Sequence, residues 1–67
     1  MAVITANGTV KEFSTPCTLE EFLVAQTILP MTVVVEHNGE AVAHSEYSKR
    51  QLTDGDQLEI VRIVAGG

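Results

Sequence analysis

Two glycines close this sequence, Gly66 and Gly67, and they are the residues with the clearest chemical potential. Consecutive glycines cost backbone entropy when ordered and add no side-chain packing, so a core has no use for them. A chain-end carboxylate, by contrast, can be turned into an acyl-adenylate by an ATP-dependent partner. The attacking oxygen must reach the α-phosphate along a narrow channel. Residues without a Cβ let that channel be tight and leave the acyl carbon open to attack. Ala65, Gly66 and Gly67 together give about 10 Å of reach, at ~3.3–3.6 Å per extended residue. That suffices to enter a partner's active site while the folded part docks outside. The opposing reading is a frayed end, since chain ends often carry small, poorly ordered residues. What decides between them is the structure that precedes the glycines.

Other residue groups offer less. His37 and His44 lie near Glu36 and Glu40 around an Asn38-Gly39 turn. Their spacing matches no zinc motif and the single cysteine, Cys17, is remote, so no metal is expected and both histidines read as surface residues beside a turn. Cys17 stands just before a helix start, where a thiol can become reactive. Glu20 and Glu21 oppose a thiolate there, and a small apolar filler is the expected role. No hydroxyl sits in a local motif with a base and an orienting carboxylate. The glycines are isolated at turns, with no Gly-Lys-Ser/Thr to cradle phosphate. The chain is therefore expected to hold no catalytic residue and no bound cofactor.

The bulk properties agree. A chain of 67 residues is one domain, and a domain this small buries only about 60% of the surface its unfolded chain exposes. With 45% hydrophobic and 19% charged residues it suits a globular fold rather than disorder. A net charge of -5 argues against nucleic acid and for partners with basic surfaces. One cysteine rules out an intramolecular disulfide and fits a reducing compartment. No run approaches the ~18 apolar residues that cross a bilayer, and no signal-peptide pattern opens the chain. A cytoplasmic monomer that binds larger partners is the expectation.

The elements that must position the glycines can be read in order. Ala2–Ala6 and Thr9–Phe13 flank Asn7-Gly8 as a first hairpin of unspecified register. Thr18 and Glu21 form a capping-box pattern, which predicts a helix from Leu19 to Thr27, before Pro30. The β-branched run Thr32–Val35 predicts a strand, central and covered on both faces. Asn38-Gly39 turns into a short strand, Glu40–Ala43. Ser45–Arg50 reads as one helical turn with Tyr47 pointing inward. Asp54-Gly55-Asp56 turns into a final strand, Gln57–Val64. There Leu58 and Ile60 share one face, and Glu59, Val61 and Ile63 the other. One helix across a mixed sheet is an α+β architecture. In a β-grasp arrangement the first and last strands would run parallel at its middle, and the expectation is a β-grasp domain over residues 1–64 followed by a tail at 65–67.

Asp54-Gly55-Asp56-Gln57-Leu58-Glu59-Ile60-Val61-Arg62-Ile63-Val64-Ala65-Gly66-Gly67 resembles the C-terminus of the sulfur carriers of thiamine biosynthesis, the ThiS family. Val35-Glu36-His37-Asn38-Gly39-Glu40, with Val42 and Tyr47, resembles that family's middle segment, while the N-terminal third matches in pattern only. The resemblance implies a ubiquitin-like β-grasp fold and a carrier that catalyses nothing itself. It implies that a ThiF-like activating enzyme consumes ATP to adenylate the Gly67 carboxylate. Sulfur from a cysteine-desulfurase persulfide would make a thiocarboxylate, delivered to a ThiG-like thiazole synthase. Gly67 would carry the sulfur, with Gly66 and Ala65 giving clearance.

The residues before the tail are the candidates for docking. Val61 and Ile63 offer an apolar pair opposite Leu58 and Ile60, and Arg62 and Val64 complete the approach. The competing placement puts the helix over Val61 and Ile63. Three other functions share parts of this pattern. The small subunit of molybdopterin synthase uses the same end chemistry, but Ile63-Val64-Ala65 points to the thiamine branch. A carrier for tRNA thiolation, or a protein modifier, would be activated identically up to the adenylate. A plain interaction module would not use Gly67 at all.

Overall fold

Both Asn-Gly dipeptides make two-residue hairpin turns. Asn7 and Gly8 have φ of 50° and 81°, and Asn38 and Gly39 have 52° and 84°. Two successive positive φ values belong to a type I′ turn, whose twist matches that of the strands it joins. In the computed structural model, which describes residues 1–63, these turns set the register of two hairpins. Strands β1 (Ala2–Ala6) and β2 (Thr9–Phe13) pair antiparallel from Ala2 opposite Phe13 to Ala6 opposite Thr9. Strands β3 (Val33–His37) and β4 (Glu40–Val42) pair with His37 opposite Glu40.

Between the hairpins, α1 (Leu19–Ala25) starts on the capping box read from sequence. The Glu21 N–H donates to Thr18 Oγ1 and the Thr18 N–H donates to Glu21 Oε1, at 3.1 and 2.8 Å. The next free N–H groups dock on a distant loop, Leu19 to the Arg50 carbonyl at 2.7 Å and Glu20 to that of Tyr47 at 3.0 Å. So all four free N–H groups of the helix start are satisfied.

Its end comes earlier than the expected Thr27. Gln26 caps the helix and Thr27 takes φ of 64°. The Thr27 N–H then bonds the Val24 carbonyl and the Ile28 N–H the Leu23 carbonyl, both at 2.9 Å. This is a Schellman ending with threonine where glycine is usual, and it turns Ile28 back against the core.

Strand β5 (Gln57–Arg62) completes a five-stranded sheet of order β2-β1-β5-β3-β4. It runs parallel to β1 and antiparallel to β3, as the α+β β-grasp reading requires. The helical turn read at Ser45–Arg50 is a 3-10 turn that lies earlier, at His44–Glu46, and Tyr47 after it is fully buried, as expected. The short strand stops at Val42. The expected end of the last strand at Val64, and the boundary between domain and tail, lie outside the described residues.

The helix covers one side of the sheet. Leu19, Phe22 and Leu23 pack there against Ile4, Leu58 and Val35, and Phe22 meets Phe13 edge to face at 6.4 Å. Strand β3 is an inner strand, paired with β5 and β4, but it is not covered on both faces. Val33 and Val35 are buried, whereas Val34 between them is 45% exposed. A β-branched run satisfies strand propensity whether or not both faces are covered, so the run misled.

Candidate functional site

The site is the end of β5 that leads toward the terminal glycines. Its position is fixed from both sides by the turn asparagines. The Asn7 amide donates to the Ile60 carbonyl at 2.9 Å and accepts the Ile60 N–H at 2.7 Å, acting as one more unit of the β1 ladder. On the other flank, Asn38 Oδ1 accepts the Gln57 N–H at 2.8 Å and its Nδ2 donates to Asp56 at 3.1 Å. Asp54 accepts the Val3 N–H at 2.7 Å, and the Gly55 N–H donates to the Val3 carbonyl at 2.8 Å. Gly55 sits at φ of 90°, which favours glycine.

Beneath this entry to β5 lies a buried polar network that the sequence reading missed. His37 is only 7% exposed, so it is not a surface histidine. Its Nε2 lies 2.7 Å from Asp56 Oδ2, and Arg50 Nε donates to its Nδ1 at 2.9 Å. Because arginine only donates, Nδ1 accepts and the ring proton sits on Nε2. Arg50 also reaches Glu40 across the strand end. Burial pushes the Asp56 carboxyl up. The Thr53 N–H, His37, Asn38 and the Thr53 hydroxyl outweigh that and hold it at about 2.

His44 is separate. Its Nε2 faces the Val33 carbonyl at 2.7 Å. Among the described residues, no group of three or more His, Cys, Asp or Glu is placed to hold a metal ion. The network is instead an internal brace between β3, β4, the Arg50 loop and the start of β5. Cys17 is half-buried against the core, and burial and then Glu21 push its thiol up, which fits the filler role.

Beyond the brace, β5 presents its two faces as the alternation predicts. Leu58 is buried and Ile60 packs against the core. Val61 is 57% exposed and Ile63 is exposed with it. The helix takes the Leu58 side, so the apolar pair Val61 and Ile63 is open. Val61 lies directly opposite Val34 on β3, and the Ile63 N–H bonds the Thr32 carbonyl at 2.8 Å, which extends the pairing. Val34, Val61 and Ala41 thus line a shallow apolar groove with Glu36 and Glu59 at its side. Arg62 is exposed and alternates toward the helix side, so it does not join that groove. Val64, Ala65, Gly66 and Gly67 lie outside the described residues. Val34 was not read as part of this face: the turn at Asn38-Gly39 sets its parity with Glu36, but only the side taken by the helix shows that this parity is the open one.

The arrangement has known counterparts. The model of the ThiS family matches residues 4–67. The chain belongs to the ThiS family. A ThiS crystal structure, of the thiamine biosynthesis protein from Geobacter metallireducens, superposes with a TM-score of 0.83 at 26% identity, covering 97% of this chain and 99% of that one. The solution structure of a thiamine biosynthesis protein from the same organism gives 0.77 at 26% identity, covering 97% and 87%. A thiazole synthase of Paramagnetospirillum magneticum is 39% identical over 61 residues, which is 91% of this chain and 19% of that protein. The chain thus spans about a fifth of the length of the curated relative it matches. The fold is the ubiquitin-like β-grasp of ThiS, and no helix among the described residues is long and apolar enough to cross a membrane.

Proposed function

We propose that this chain is the sulfur carrier for the thiazole of thiamine, with Gly67 as the group that is loaded. The observation that carries the reading is that the match to the ThiS family runs through Gly66 and Gly67. A ThiF-like activating enzyme adenylates the Gly67 carboxylate and consumes ATP. Sulfur from a cysteine-desulfurase persulfide then converts it to a thiocarboxylate, which donates to a ThiG-like thiazole synthase. The thiazole synthase relative favours the thiazole as acceptor over molybdopterin or tRNA.

In this reading the chain is a substrate of its partners and not itself an enzyme, and it holds no cofactor. Exposed Val61 and Ile63, with Arg62 and Val64, form the approach that partners grip, while Ala65 and Gly66 give clearance. An apolar pair beside a small-residue tail suits that use, because it offers contact area without blocking the channel. The cytoplasm is the compartment that fits a free thiol and reduced sulfur chemistry.

Complementation tests the reading. A host lacking its own carrier should grow without added thiazole when given the whole chain, and should need thiazole when given the chain without Gly67. Growth with the shortened chain would favour an interaction module that never uses its end.

A further inference from the structure

Three strand glutamates point to the open face of the sheet, Glu12, Glu36 and Glu59, and no strand lysine or arginine does. Lys11 and Arg62 alternate to the helix side, Arg50 is held by His37 and Glu40, and Lys49 lies outside the strands. Glu36 and Glu59 are direct cross-strand partners. Like charges placed so destabilise an antiparallel pair. Neither forms an ion pair among the described residues, and their neighbours along the groove, Val34, Val61 and Ala41, are all uncharged. The free chain thus keeps an uncompensated repulsion beside its exposed apolar groove.

We infer that this groove is a docking site for the thiazole synthase, with Glu36 and Glu59 together receiving one of its cations. An apolar side chain of the synthase fills the space between Val34, Val61 and Ala41. An arginine or lysine beside it on the same surface lies between the two carboxylates. A guanidinium suits this best, since its fork of donors serves two carboxylate groups at once. Two observations support this occupant. The charges at the groove are of one sign, which calls for a basic partner. A thiazole synthase also carries the segment matching this chain within its own polypeptide. The identity of the occupant rests on the sulfur-carrier reading above. The repulsion does not, because it is a property of the free chain. A cation placed between the carboxylates turns that repulsion into attraction, so stability and binding respond to these residues in opposite directions.

The test measures both. In E36Q and E59Q the melting midpoint of the free chain should rise by about 1–4 °C. Affinity for the purified synthase of the same organism, by calorimetry at low salt, should fall about 5–20-fold. Salt should weaken the parent complex more than either variant complex. E12Q, on the same face but across β1, should change affinity by less than about twofold. Unchanged affinity in E36Q and E59Q would overturn the inference. So would weaker binding accompanied by a lowered midpoint, which would make the pair structural. Weakened binding to the activating enzyme with synthase binding intact would overturn the choice of occupant. Sulfur loading of the parent chain is scored separately. Loading with no binding difference defeats this inference alone, and absent loading with the binding difference present defeats the carrier reading alone.

Discussion

The two faces of the sheet use the same residue types to opposite ends. On β3, Val33 and Val35 are sealed beneath the helix side while Val34 stands open. On β5, Leu58 is buried and Val61, three residues on, is mostly exposed. Hydropathy alone does not separate these valines. Parity within the strand does, once the helix is assigned a side. One face holds a very small domain together, and the other is the face proposed here for contact. The central strand serves both before it leads to the tail.

That comparison fails if the two faces contribute alike to stability. Leu58→Ala should cost about 2–5 kcal/mol through lost burial and the cavity left behind, enough to unfold much of a chain this short. Val61→Ala should change stability by less than about 0.5 kcal/mol, as an exposed site does. Urea denaturation of both variants measures the contrast. Equal losses would mean that the open face is a second core.

The polar brace sharpens the helix-side half of the comparison through pH. Asp56 has its folded pKa depressed to about 2, below its ordinary value of ~3.9. Its contribution is therefore complete above the unfolded value and is lost as pH falls through the folded one. Stability should drop by about 2 kcal/mol between pH ~4 and ~2 from this group. Asp56→Asn should flatten that part of a pH–stability profile, and an unchanged profile would remove Asp56 from the account.

A smaller effect is expected where the covering helix ends. Thr27 is β-branched and held at positive φ, a conformation that glycine adopts without the Cβ penalty. Thr27→Gly should gain about 0.5–1 kcal/mol, the relief exceeding the added entropy of the unfolded chain. Thermal melts measure it. A loss would show that the Thr27 side chain contributes packing.

Much of this was legible beforehand, because local chemistry carried it. Asn7-Gly8 fixed a hairpin, Thr18 with Glu21 fixed a helix start, and alternation along the expected strand Gln57–Val64 placed Val61 and Ile63 outward. What escaped needed tertiary information. His37 meets Arg50 and Asp56 across 13 and 19 residues of sequence, so nothing near His37 revealed its burial. The helix end escaped because threonine is not an expected residue at a left-handed position. The Glu36–Glu59 opposition required the β3–β5 register, which no turn between adjacent strands supplies.

If Gly67 is the group that is loaded, the intact mass of the chain reports it. The chain is incubated with ATP, its cognate activating enzyme and a cysteine-desulfurase system, then weighed. The account predicts a gain equal to the replacement of one oxygen by sulfur, mapped to the peptide ending at Gly67 and absent without ATP. An unchanged mass with all components active would contradict it.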